Sequence, residues 1–329
     1  MQAADFAPPW WLRDAHLQTV VGTSLLRGRL GEKRLAARAA RTTPHIIDAG
    51  DGVRLSGLHD EPANGASKGL ALLLHGWEGS VDSSYMRLTA AELLGRGWST
   101  FRLNFRDHGD SHHLNEQIFH SNCIDEVVRA AVEVARRFPA PRMLAAGYSL
   151  GGNFTLRLAL RAPDAGLRLE RVAAVCPVLD PAHTMHAMDR GVGLYRRYFE
   201  RKWRASLVRK RALFPHLLHL DDRTLAQRLR PLTQWLVERH TDFGTLENYF
   251  DGYTLAGERL AALQVPAEIL TAADDPVIPV EDFEHLVLAP GTRLTITPHG
   301  GHCGFLRNAR LDGFAEAWVA DVLDRPAGA

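Results

Sequence analysis

The segment AAGYSLGGNF contains Gly147-Tyr148-Ser149-Leu150-Gly151, a G-x-S-x-G pentapeptide. Small residues two positions either side of a serine let a strand and a helix approach closely. Ser149 would then sit on a sharp bend, its Oγ projecting from the C-terminal edge of a sheet, with the next backbone N–H facing a reacting carbonyl. Gly and Ser are common in loops, so the pentapeptide alone is a weak signal. Its weight comes from context: a strand-like run, Arg142–Tyr148, precedes it and a helical pattern, Asn153–Arg161, follows it. The plain alternative is an ordinary strand-to-helix turn.

A serine hydroxyl needs a base to attack at neutral pH. Downstream, ILTAADDPVIP places Asp274 and Asp275 at the end of a predicted strand, and TPHGGHCGF places His299 and His302 after the next one. Nucleophile, acid and histidine thus follow in the order Ser, Asp, His, each just past the C-terminal end of a strand, where open parallel sheets bind ligands. Asp275 is the favoured carboxylate, because Pro276 ends the strand while Asp274 would alternate to the other side. His302 is favoured over His299, because Gly300-Gly301 free the loop to carry an imidazole back over the sheet. Acyl chemistry also needs donors for an oxyanion. In LLLHGWEGS the Trp77 backbone N–H is the natural partner of the Leu150 N–H. The Trp77 side chain is then free to shape an acyl pocket, unless it is simply core packing.

These residues need a sheet to position them. HIIDAG and VRLSGLHD flank Asp51-Gly52, a hairpin signal. Short apolar runs then alternate with helical patterns: strand Gly69–His75, helix Ser84–Arg96, strand Ser99–Phe105, helix Ile124–Phe138, then strand Arg142–Tyr148 and its helix, and strand Val172–Val178. Strands Ala267–Ala272 and Arg293–Pro298 and a helix over 308–324 close the chain. This alternation predicts a mostly parallel sheet with helices on both faces. Between 180 and 262 it breaks into helical patterns without a strand, which reads as a helical cap insertion above the sheet. The expected organisation is an extension at 1–43, a core at 44–179 and 263–329, and a cap at 180–262.

The chain has 329 residues, a net charge of +1 and 46% hydrophobic residues, so the charge excess of a dedicated nucleic-acid binder is absent. No apolar run is long enough to span a bilayer, and the N-terminus lacks the pattern of a secretory signal. Three cysteines argue against a disulfide framework and fit a cytoplasmic location. From Arg196 to Arg211 the cap carries eight basic residues and one acidic, Glu200. That reads as a solvated helix face, or as attraction to acidic substrates or to an anionic lipid surface.

Several segments resemble the YheT-like branch of the α/β-hydrolase superfamily, which also contains eukaryotic hydrolases and yeast medium-chain ester synthases. They are DAHLQT (Asp14–Thr19), HGWEGSVDSSYMR (His75–Arg87), RGWSTFRLNFR (Arg96–Arg106), FHS (Phe119–Ser121), GYSLGGN (Gly147–Asn153), GLYRRYF (Gly193–Phe199), NYF (Asn248–Phe250), AADDPVIP (Ala272–Pro279) and HGGHCGF (His299–Phe305). They span nearly the whole chain. The resemblance implies an α/β-hydrolase fold, with Ser149, Asp275 and His302 in the triad positions. After NFR, family members commonly carry a Gly-Cys-Ser-Gly-like stretch, whereas this chain has DHGDSHH (Asp107–His113).

The expectation is a serine carboxylic ester hydrolase that forms an acyl-enzyme on a small-molecule ester, with no cofactor and no metal. His108, His112 and His113 beside Asp107 and Asp110 could suggest a metal site, but the spacing of a metallo-hydrolase signature is absent. Cys303 and Cys176 read as small packed side chains. Transfer of the acyl group to an alcohol, hydrolysis of acyl lipids, and an idle fold serving as a binding protein are the competing readings.

Overall fold

The computed structural model describes residues 6–63, 67–216 and 220–326. Eight strands form one sheet: β1 (Ala39–Asp48), β2 (Arg54–Pro62), β3 (Leu70–Leu74), β4 (Ser99–Leu103), β5 (Met143–Tyr148), β6 (Arg171–Val175), β7 (Ala267–Ala272) and β8 (Thr292–Thr297), in the order β1-β2-β4-β3-β5-β6-β7-β8. The β1–β2 hairpin joins antiparallel to β4, and the other six strands run parallel. The helices are α1 (Ala15–Gly22), α2 (Leu25–Ala36), α3 (Ser84–Gly95), α4 (Ile124–Arg137), α5 (Leu150–Arg161), α6 (Pro181–Arg190), α7 (Gly193–Leu213), α8 (Asp222–Leu225), α9 (Leu229–His240), α10 (Leu246–Asp251), α11 (Glu281–Glu284) and α12 (Phe314–Asp324).

Period-two alternation divides the core between the sheet's two faces. Leu70, Leu72 and Leu74 pack with α4 and α5, while Ala71 and Leu73 pack with α3 and α12. A strand covered on both sides is apolar throughout, which is why LALLL carries no polar residue. Each fully buried leucine of this run contributes about 1.5–3 kcal/mol. In α4, Val127, Ala131 and Val134 face the sheet, while Glu133 pairs outward with Arg136 and Arg137.

Two boundaries differ from the sequence reading. β1 begins at Ala39, inside the predicted extension, because Ala39 to Thr43 pair with Pro62 to His59 of β2. The last helix begins at Phe314 rather than 308. Asn308 Oδ1 accepts from Arg310 N at 2.9 Å, and Arg307 N donates to Asp312 O at 2.8 Å, so local bonds hold a loop there.

Helices α6 to α10 lie between β6 and β7 in sequence, and side chains of α6, α7, α9 and α10 face Ser149 across a shared pocket. The basic run of α7 is less solvated than its composition suggests. Lys210 is 1% exposed, and its Nζ bonds Asp107 Oδ1 at 2.7 Å together with the carbonyls of His112 and Asn115. Arg204 bonds the carbonyls of Leu225 and Gln227, and Arg211 bonds that of Leu220. Much of this charge therefore binds the cap to itself and to the core.

Candidate active site

Ser149 lies between β5 and α5 with φ 55 and ψ −120, a conformation a non-glycine residue holds only when its surroundings enforce it. The surroundings are two glycines. A Cβ on Gly147 would lie 2.1 Å from Gly151 O, and one on Gly151 would lie 2.3 Å from Leu74 O. Only glycines allow the helix to start this close to the strands. The bend is anchored by Ser149 N donating to Val175 O at 2.8 Å.

Ser149 Oγ is 2.9 Å from His302 Nε2, and His302 Nδ1 is 2.9 Å from Asp275 Oδ2. The other Asp275 oxygen accepts the N–H groups of Val277 and Ile278, at 2.8 and 3.0 Å, so the turn orients the carboxylate. The Asp275 side chain is fully buried and that of His302 nearly so. Burial acts to lower the His302 pKa, but the adjacent Asp275 carboxylate outweighs it and raises the ring to about 9. Asp274 lies in the turn after β7 and points elsewhere: its Oδ1 accepts Gly301 N at 2.9 Å and its Oδ2 lies 3.3 Å from His299 Nδ1. Asp274 and His299 thus pair with each other and shape the loop that carries His302.

The Gly76-Trp77 turn abuts the serine, since a Cβ on Gly76 would lie 3.3 Å from Ser149 Cβ. Two buried histidines brace it. His75 Nδ1 donates to Gly76 O at 2.8 Å while Nε2 accepts Phe105 N–H at 3.2 Å. His108 Nδ1 donates to Arg106 O at 2.7 Å while Nε2 accepts Glu78 N–H at 3.1 Å. Each ring donates to a carbonyl and accepts from an amide, which requires the neutral form. Burial agrees, lowering His75 to about 4 and His108 well below its ordinary value. Among the described residues, the Trp77 and Leu150 N–H groups are bonded to no backbone carbonyl of the surrounding loops. His112 does not join His108 around a common point, because its Nε2 bonds Ser206 Oγ at 2.8 Å.

Two spaces meet at Ser149. One lies between Ser149 and helices α6, α7, α9 and α10 and is lined by Trp77, Leu150, Met185, Phe199, Trp203 and Ile278 among others. The Trp77 ring stacks on Phe199 at 5.2 Å and meets Trp203 edge-on at 5.5 Å, so its side chain forms a wall of this pocket. The other is an open cleft that includes His302, Glu78, Leu25, Tyr198 and Lys202.

Sequence reasoning from spacing missed the contribution of α1. Asp14 caps that helix by accepting Leu17 N at 2.7 Å. Thr19 Oγ1 accepts the His302 N–H at 2.9 Å and donates to Ala15 O at 2.7 Å. Gln18 exchanges bonds with Leu306, donating to its carbonyl at 3.2 Å and accepting its N–H at 2.6 Å. Gly301, at φ 55, comes so close that a Cβ would lie 2.4 Å from Ala15 O. The only available signal was the DAHLQT resemblance, which carried no role for these side chains.

A family model described as alpha/beta hydrolase fold matches residues 71–309. The chain is 28% identical to the esterase-named protein YheT of Escherichia coli (strain K12), over 94% of this chain and 89% of that protein. It is 25% identical to an esterase-named protein of Synechocystis, over 92% of this chain and 88% of that protein. Among solved structures, a Pyrococcus furiosus esterase superposes with a TM-score of 0.59 at 19% identity, covering 90% of this chain and 94% of that one.

Proposed function

The chain belongs to the α/β-hydrolase fold family and is a hydrolytic enzyme, and from that premise we propose that it cleaves carboxylic esters through an acyl-enzyme on Ser149. The observation that carries this reading is the unbroken chain of contacts from Ser149 Oγ through both nitrogens of His302 to Asp275, each 2.9 Å long. Ser149 Oγ attacks the acyl carbon as His302 Nε2 takes its proton. Asp275 holds the proton on Nδ1 and stabilises the imidazolium. The Trp77 and Leu150 N–H groups stabilise the oxyanion, a pair in which each donor is worth about 3 kcal/mol. The tetrahedral species collapses, His302 returns the proton to the leaving alcohol, and water repeats the sequence on the acyl-enzyme. The apolar space between Ser149 and helices α6, α7, α9 and α10 suits the acyl group of a small-molecule ester, and the open cleft suits the alcohol. None of these steps draws on a cofactor. Three free, buried cysteines suit a reducing cytoplasm.

Ser149→Ala should lower turnover of p-nitrophenyl esters on the order of 10⁶-fold and abolish labelling by a fluorophosphonate. Wild-type turnover in that variant would reject the assignment, and absence of labelling in the folded wild type would favour the idle binding protein. Product analysis with added ethanol separates hydrolysis from ester synthesis: acid alone at every alcohol concentration rejects the synthase. One observation favours acyl lipids as a second reading. Leu25, 86% exposed, and Leu194, 55% exposed, line the cleft, and the basic cap stands beside them. Sedimentation with vesicles that is indifferent to anionic lipid would remove that reading.

A further inference from the structure

Two cysteines far apart in sequence meet beside the proposed base. Cys176 immediately follows β6, and Cys303 immediately follows His302 on the loop after β8. One Sγ from each and a ring nitrogen of His302 all lie within 4.8 Å of one another. Among the described residues, no other group of three His, Cys, Asp or Glu side chains brings its ligand atoms together in this way. The two thiols lie in hydrogen-bond contact with each other, and each also faces a distant carbonyl across the junction, Cys176 Sγ to Gly301 O and Cys303 Sγ to Val175 O, both at 3.9 Å. Both cysteines are buried, and Cys303 and His302 border the open cleft.

Buried cysteines ordinarily act as small packing residues. Two sulfurs converging on one imidazole form a different arrangement, the donor set of a thiophilic divalent cation. We infer that Cys176, His302 and Cys303 form an inhibitory site for one such cation, zinc or cadmium rather than magnesium or calcium. A tetrahedral zinc, with Zn–S near 2.3 Å and Zn–N near 2.0–2.1 Å, sets its donors roughly 3.6–3.8 Å apart. From a separation of at most 4.8 Å, each pair closes by about 1.2 Å or less. At neutral pH, below the raised value of the ring, two Sγ–H bonds and the Nε2–H bond of the imidazolium break, two Sγ–metal bonds and one Nε2–metal bond form, and three protons leave to solvent, with no change of oxidation state. Two thiolates then balance the two positive charges of the cation.

Asp275 already holds Nδ1 of His302 at 2.9 Å, so Nε2 is the nitrogen open to a metal once its proton is lost. A carboxylate behind a metal-bound histidine is the usual supporting arrangement. The same Nε2 contacts Ser149 Oγ at 2.9 Å, and a nitrogen bonded to a metal cannot take the serine proton. Occupancy therefore stops acyl transfer. The inhibition rests on the ester-hydrolase reading, whereas the binding does not.

The test is a Cd²⁺ titration of the metal-free full chain, read by thiolate-to-cadmium absorbance in the ultraviolet and by proton release. Turnover of p-nitrophenyl butyrate under Zn²⁺ is followed in parallel. At neutral pH, one cation per chain, three protons per cation, turnover falling in step and recovery with a chelator are expected. Cys176→Ala and Cys303→Ala should each weaken binding at least tenfold, and His302→Ala should weaken it without abolishing the absorbance. An absorbance that survives in the double cysteine variant overturns the site, as does the absence of a proton-coupled equivalent in the wild type. Should the double variant fail to fold, Cys303→Val decides alone, and affinity within twofold of wild type rejects the site. If cadmium binds with release of three protons but the untreated protein turns over no ester, the ester-hydrolase reading has failed and the site stands.

Discussion

The strand ends and the cap both border Ser149, yet they are built on different physics. At the strand ends, position comes from backbone: a serine at φ 55, two glycines that allow close approach, and an aspartate fixed by two amides. In the cap, position comes from side chains: Phe199 and Trp203 packed on Trp77, and Lys210 buried against Asp107. Backbone placement tolerates almost no variation, which suits proton transfer between fixed atoms. Side-chain packing can change shape at modest cost, which suits the choice of acyl group. Damage to the first region should remove rate, and damage to the second should alter stability or preference.

Asp275→Asn carries the largest expected effect of the changes that sharpen this contrast. By analogy with triad aspartates elsewhere, kcat should fall on the order of 10⁴-fold. The pH profile should move as well. The base works as the neutral imidazole, so with His302 raised to about 9 the wild-type kcat/KM should climb with pH up to that value. Removing the carboxylate's charge removes the attraction that favours the imidazolium, so the limb should shift to lower pH. Stability runs the other way. The charged pair contributes below the unfolded histidine value of about 6.5, and that contribution is lost as pH rises through about 9.

Lys210→Met tests the cap. It strands Asp107 and two carbonyls without their buried cation, a loss of about 3–5 kcal/mol measurable by urea unfolding. Pairing it with Asp107→Asn should recover part of that loss, and an unchanged midpoint in Lys210→Met would show that the pair does not hold the cap. Phe199→Ala should leave fluorophosphonate labelling intact while shifting acyl-chain preference about tenfold toward longer esters, read as a ratio of kcat/KM values. A uniform loss across all chain lengths would contradict the division drawn between the two regions. Thr19→Val is the mildest change. Without an acceptor for its N–H, His302 should drift, lowering kcat a few-fold with KM nearly constant. Thr19→Ser, which retains the oxygen, should restore it, whereas a purely structural role would move melting temperature and leave kcat alone.

Much of this was legible in the chain. G-x-S-x-G, D-D-P and H-G-G-H each follow an apolar run, and short-range rules of strand, turn and helix already place each at the end of a parallel strand. The sequence favoured Asp275 over Asp274 by strand alternation, but β7 ends at Ala272, and it is the turn closed by Asp275 N on Ala272 O at 3.2 Å that sends the two carboxylates apart. The bracing tautomers of His75 and His108, the grip of α1 on the His302 loop, the internal use of the cap's arginines, and the meeting of Cys176 with Cys303 were decided by tertiary structure alone. Each is a contact between segments far apart in sequence, and local periodicity carries no information about which distant surfaces meet. The sequence by itself determined the order and type of the elements and the residues set at their ends. Packing decided which of those residues touch, because partner choice depends on the three-dimensional closure of the whole sheet and its cap.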